Sequence, residues 1–178
     1  MAKGLDPDIL TRVASGDHDA FTALYDATAT RIYRYLVSYG AHESLVADIV
    51  QETFLAVWRD ARKYRGPSPI AWMLGIARNK VLTAYRRQPP VAEDGVNLDE
   101  MDHPDHRVDV AYTEVRATEI LSGLTASDRE LAHLVFVQDL SYQEVSRLVN
   151  VPTGTIKSRV FRIRRQLQEQ EDLGHDTH

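Results

Sequence analysis

Cysteine is absent from the 178 residues, which removes disulfides, thiolate metal sites and cysteine nucleophiles together and points to a reducing, cytoplasmic compartment. Glycine and proline are scarce, at 9 and 7 residues, so collagen-like and low-complexity architectures are excluded. Long apolar runs are missing as well. Nothing approaches the roughly 20 residues that span a bilayer, and the N-terminal MAKGLDPDIL has no apolar signal core, so neither export nor membrane insertion is expected. What remains is an ordinary globular composition, 43% hydrophobic and 26% charged.

A net charge of -5 argues against nucleic acid only as an average. Residues 59–87 carry eight basic side chains against Asp60 alone, and residues 152–167 hold Lys157, Arg159, Arg162, Arg164 and Arg165 with no acid. Between them, residues 88–119 carry nine acids and two bases. Two basic segments at structured places, split by an acidic one, point to two nucleic-acid contacts rather than to solvated helix faces. The acidic stretch contains Pro89, Pro90, Gly95 and Pro104 and has no apolar period. It reads as a flexible linker over 89–112, joining two small helical domains, 1–88 and 113–178, in an all-α chain.

In the first domain, apolar residues recur at helical spacing from Asp8 to Tyr39, including Phe21, Leu24, Tyr25, Ile32, Tyr35 and Leu36. This predicts a helical pair or one long bent helix. Val46, Ile49, Val50, Phe54, Val57 and Trp58 then form a buried stripe that leaves Asp48, Gln51, Glu52 and Arg59 facing out. Asp48 and Glu52, four apart, put two carboxylates on one helix face, which suits either a solvated surface or docking of a basic partner. A hydrolase dyad lacks a third group and a pocket. Ser68 before Pro69 is an N-cap and first-turn pair, opening a helix that runs to about Arg87 and buries Ile70, Met73, Ala77, Val81 and Ala84. Trp72, Asn79 and Arg86, seven apart, line another stripe flanked by Arg78, Lys80 and Arg87. Such a face fits phosphates and unstacked bases, while Trp72 equally fits a core position.

In the second domain, Thr125 followed three residues later by Asp128 reads as a helix start, with Leu131, Leu134 and Val135 apolar behind it. Ser141 and Glu144 make a capping box, with Leu140 and Val145 as its hydrophobic staple. That helix starts at Tyr142 and ends near Val149, because Asn150 accepts the left-handed conformation and Pro152 cannot extend the ladder. A last helix begins at about Thr153. Ile156, Val160, Ile163 and Leu167 form its seam, and Thr155, Ser158, Phe161, Arg162 and Arg165 occupy the opposite face, with Lys157, Arg159 and Arg164 on the flanks. A short capped helix, a tight turn and a basic second helix predict a helix-turn-helix reading the major groove. Arg162 and Lys157 suit guanine, Thr155 and Ser158 bases or phosphate, and Phe161 a thymine methyl.

Taken in order, DIVQETFLAVW (48–58), YRG (64–66), AWMLGIARNKVLTAYRR (71–87) and LSYQEVSRLVNVPTGTIKSRVFRIRRQL (140–167) resemble the bacterial sigma-70 family, specifically its small extracytoplasmic-function (ECF) group. The resemblance covers about residues 20–168 and implies a cytoplasmic, non-enzymatic transcription initiation factor. It would bind core RNA polymerase and direct it to promoter DNA without a cofactor. Asp48, Gln51 and Glu52 match residues that dock on clamp helices of a large polymerase subunit. Tyr64, Arg65, Ser68, Trp72, Asn79, Lys80 and Arg86 fall in the part that recognises and opens the minus-10 element. Thr155, Lys157, Ser158, Phe161, Arg162 and Arg165 fall in the helix that reads the minus-35 element. The resemblance departs in the loop before Trp72, which carries two prolines and is a residue short. It also implies an anti-sigma factor as a further partner and an acidic linker that threads toward the polymerase cleft. The rival readings are a sigma-like decoy that sequesters an anti-sigma factor, and a metal site built from His103, Asp105, His106, His175 and His178. The decoy would not need the five basic residues of the last helix, and no metal motif accompanies the histidines.

Overall fold

A computed structural model describes residues 5–6, 8–39, 41, 43–87 and 123–175. The chain divides into two compact units. The expected linker at 89–112 lies outside the described residues.

The first unit is built from α1 (Ile9–Ala14), α2 (His18–Ser38), α3 (Glu43–Asp60), a 3-10 turn (Ala61–Lys63) and α4 (Pro69–Arg87). The N-terminal apolar pattern resolves into two helices rather than one bent helix. Gly16 takes φ +88, a left-handed conformation that ends α1. Asp17 then accepts the backbone N–H of Ala20 at 2.9 Å and caps α2. Leu24, Ile32 and Leu36 of α2, Val46 and Val57 of α3, and Met73, Leu74, Ala77 and Val81 of α4 are fully buried. Two threonines complete the stripes. Thr28 and Thr53 are buried because their hydroxyls donate to the carbonyls four residues back, Leu24 at 2.6 Å and Ile49 at 2.7 Å. Tyr25, by contrast, is exposed, and Trp58 and Ala84 are only half-buried. Arg62 ties the 3-10 turn to α1, its Nε donating to the Ala14 carbonyl at 3.0 Å.

The second unit contains α5 (Ala126–Ala132), which continues as a π-helical turn (His133–Val137), then α6 (Tyr142–Val149) and α7 (Thr153–His175). Ser141 caps α6 with the complete capping box to Glu144, and Asn150 ends it at φ 57, ψ 43. These are the boundaries that the capping pattern predicts. The π turn is not legible in the apolar spacing. There the Gln138 N–H reaches the His133 carbonyl at 2.9 Å, five residues back, and the buried Gln138 amide meets the His133 ring at 2.9 Å. Leu124, Leu131, Leu134, Leu140, Val145, Ile156, Val160 and Ile163 form the core. Leu167 closes the seam only partly, and α7 runs eight residues beyond it.

Candidate nucleic-acid and polymerase interfaces

On α3 the buried side is so fully occupied that Asp48, Gln51 and Glu52 must face out, and all three are exposed. Leu55, 62% exposed, continues the same face one turn on and adds an apolar element that the sequence reading did not single out. Glu52 also has a partner: its Oε2 accepts from Lys80 Nζ of α4 at 2.9 Å. Lys80, expected on the minus-10 side, is thus held against the expected polymerase-docking face.

The turn between α3 and α4 concentrates positive charge. Asp60 is its acid, and hydrogen bonds from Arg59 and then Lys63 hold its carboxyl down at about 2. Arg65 folds back, its Nη1 donating to the carbonyls of Arg62 and Tyr64 at 2.7 Å each. Tyr64 and Trp72 are both half-buried, with ring centroids 5.5 Å apart and planes tilted by 59°. Trp72 is therefore neither a sealed core residue nor an isolated surface ring. Gly66 keeps the turn close to this pair, since a Cβ there would stand 3.3 Å from the Tyr64 ring. Ser68 caps α4, its Oγ accepting the Ala71 N–H at 3.2 Å. Asn79 and Arg86 are exposed farther along α4.

The outer face of α7 presents Thr155, Lys157, Ser158, Phe161, Arg162 and Arg165, all exposed, with Phe161 at 73%. Ser158 Oγ donates to the Thr155 carbonyl at 3.0 Å, Arg165 Nε pairs with Glu169 at 2.8 Å, and Arg164 lies over the Phe136 ring at 5.2 Å. Arg159 turns inward instead. Its guanidinium meets Asp128 Oδ1 at 2.8–2.9 Å and also donates to the Ser127 hydroxyl, while Arg162 Nη2 stands 3.3 Å from Asp128 Oδ2. The basic helix carries no acid among its first fifteen residues, yet α5 supplies one. By sequence Asp128 is only part of a helix start; Thr125 does accept the Asp128 N–H at 3.1 Å, but the carboxylate goes to α7.

Among the described residues there is no cluster of three or more metal-ligating side chains, and no helix is long and apolar enough to cross a membrane. His103, Asp105, His106 and His178 lie outside the described residues, and for His175 only the backbone is described.

Two family models match the chain, Sigma-70 region 2 over residues 24–89 and Sigma-70, region 4 over residues 115–167. The chain is 32% identical to the ECF RNA polymerase sigma factor SigK of Mycobacterium ulcerans over 165 residues, covering 85% of this chain and 86% of SigK. It is 29% identical to the ECF RNA polymerase sigma-E factor of Haemophilus influenzae, covering 94% and 96%. Among solved structures, CnrH in complex with the cytosolic domain of CnrY shares the fold with TM-score 0.67 at 23% identity, covering 96% of this chain and 99% of CnrH. RpoE bound to the anti-sigma factor NepR from Bartonella quintana gives TM-score 0.63 at 23% identity, covering 84% and 94%. With both helical units matched in order and a relative above 30% identity along most of its length, the chain belongs to the ECF group of the sigma-70 family of RNA polymerase sigma factors.

Proposed function

We infer that this chain is a transcription initiation factor that joins core RNA polymerase and directs it to promoters through minus-35 and minus-10 elements. It performs no chemistry of its own; it lends sequence specificity to the polymerase. The observation that carries the reading is the outer face of α7. It exposes hydroxyl, aromatic and guanidinium groups behind a sharply capped eight-residue helix, the arrangement of a helix-turn-helix with α7 as recognition helix.

In this reading residues 1–88 form the domain that docks on polymerase and opens the minus-10 element. Residues 89–112 are the acidic linker and residues 113–178 read the minus-35 element. Asp48, Gln51 and Glu52, continued by Leu55, meet a basic surface of the polymerase. Tyr64, Arg65, Ser68, Trp72, Asn79, Lys80 and Arg86 serve the minus-10 element, where the Tyr64–Trp72 pair offers an aromatic surface to an unstacked base. Thr155, Lys157, Ser158, Phe161, Arg162 and Arg165 serve the minus-35 element. The protein works in the cytoplasm, and an anti-sigma factor regulates it, a partner class supported by the RpoE–NepR complex of the same fold.

Run-off transcription with core polymerase on a pool of random promoters tests the whole reading. The wild type is expected to yield specific transcripts that both Asp48→Arg and Arg162→Ala lose by more than tenfold, the first through polymerase binding and the second through promoter choice. A chain that binds polymerase yet selects no promoter would overturn the reading and favour the decoy.

A further inference from the structure

An acid suits the first turn of a helix, but Asp128 is unusual in being buried there. It sits in the first turn of α5 with its side chain only 7% exposed, and a carboxylate so enclosed requires a charged partner. A reciprocal capping box would return it to the backbone of Thr125. It reaches instead across 31 and 34 residues of sequence to two arginines on successive turns of α7. The two are not equivalent. Arg159, 22% exposed, is anchored twice, on Asp128 Oδ1 and on the Ser127 hydroxyl, and so supplies the buried partner charge. Arg162, 59% exposed, meets the other oxygen with a single nitrogen, Nη2 at 3.3 Å. Its guanidinium has five N–H donors, so a fork remains open toward solvent.

We propose that Asp128, although it stands outside the helix that faces DNA, is a specificity-determining residue. Oδ2 pins Arg162 so that the open edge of its guanidinium is presented to a guanine in the minus-35 duplex. This rests on the reading of α7 as recognition helix. A long side chain free to swing satisfies itself on the nearest phosphate, which carries no sequence information. Bidentate contact with guanine O6 and N7 needs a fixed plane, and holding one nitrogen before binding removes part of the freedom that would otherwise be lost on docking. Asp128 is therefore a positioning residue that acts through Arg162, and Arg159 with Ser127 keeps its carboxylate from turning away.

The test uses polymerase holoenzyme assembled with the full chain and promoters in which each base pair of the minus-35 element is replaced in turn. Arg162→Ala locates the base pair that Arg162 reads. Asp128→Asn is expected to lose about tenfold of the guanine preference at that base pair and none elsewhere. The double variant is expected to discriminate no worse than Arg162→Ala alone. Asp128→Glu keeps the buried charge but displaces the carboxylate by a methylene. It is expected to relax the same base pair while keeping the thermal midpoint, and it decides the matter if Asp128→Asn unfolds.

Should both Asp128 variants change transcription from all promoters equally with the preference intact, Asp128 merely neutralises charge and the proposal is overturned. Should Arg162→Ala relax no base pair, the recognition-helix reading fails first and the proposal falls with it.

Discussion

Asp60 at the end of α3 illustrates how a single side chain ties stability to pH. Hydrogen bonds from Arg59 and Lys63 favour its charged form and hold it at about 2, below the ordinary carboxylate range near 4. A folded-state value below the unfolded one stabilises the fold above the unfolded value, and that stabilisation fades as pH falls toward the folded one. Asp17 has the same sign, lowered first by the Ala20 N–H and then by Arg12. Thermal unfolding of the wild type and Asp60→Asn at a series of pH values checks this. The wild type is expected to lose more midpoint than the variant between about pH 5 and pH 3, and an unchanged gap would show that the Asp60 contacts do not persist in solution. At this scale the sequence is a partial guide. It places Asp48, Gln51 and Glu52 on an exposed face, because helical spacing alone decides that. It does not reveal that Glu52 is taken by Lys80, 28 residues away, or that Arg65 turns onto its own backbone, because such choices depend on which acceptors the tertiary fold brings near.

Elements are legible where their signals are local. The start of α6 is written in Ser141 and Glu144, whose side chains exchange hydrogen bonds with each other's backbone at 3.3 Å and 2.8 Å, and its end is written in Asn150. Ser141→Ala is therefore expected to cost the second unit about 1 kcal/mol, which native-state hydrogen exchange of the α6 amides would read as faster opening. Ser141→Thr should restore most of it. Equal protection in Ser141→Ala and the wild type would mean that burial of Leu140 and Val145 alone holds the helix end. The π turn at 133–137 is not legible in the sequence for a different reason. An apolar stripe fixes which residues face the core but tolerates one residue of slack. The turn brings the His133 and Gln138 side chains, five residues apart, within 2.9 Å of each other, a contact that apolar spacing does not encode. Asp128 combines both cases: its N–H obeys the local capping rule through Thr125, while its carboxylate obeys a tertiary one.

For the molecule as a whole, the net charge of -5 coexists with several cations that are met by carboxylates of the same chain: Lys80 by Glu52, Arg59 and Lys63 by Asp60, Arg159 and Arg162 by Asp128, and Arg165 by Glu169. The exposed pairs of Lys80, Arg59, Lys63 and Arg165 are weak, so a phosphate can displace the carboxylate there, but only with a smaller net gain than a bare cation would give. The free chain should consequently bind promoter DNA poorly, and the holoenzyme should bind it with a strong salt dependence. The cations then separate by role. Lys157, which by residue type also fits a guanine, lies on the exposed flank of α7, where a compact ammonium on a flexible stem is expected to meet a phosphate instead. Lys157→Ala is expected to weaken promoter binding by the holoenzyme uniformly across sequences and to lower the slope of log affinity against log salt by about 1. Arg162→Ala should instead change base preference with little further effect on the slope, because its charge is already shared with Asp128. Filter binding over a salt series with two promoter sequences separates these outcomes. If Lys157→Ala altered base preference instead, the division between positioning and reading residues on α7 would have to be redrawn, with the ammonium, not the guanidinium, facing the groove floor.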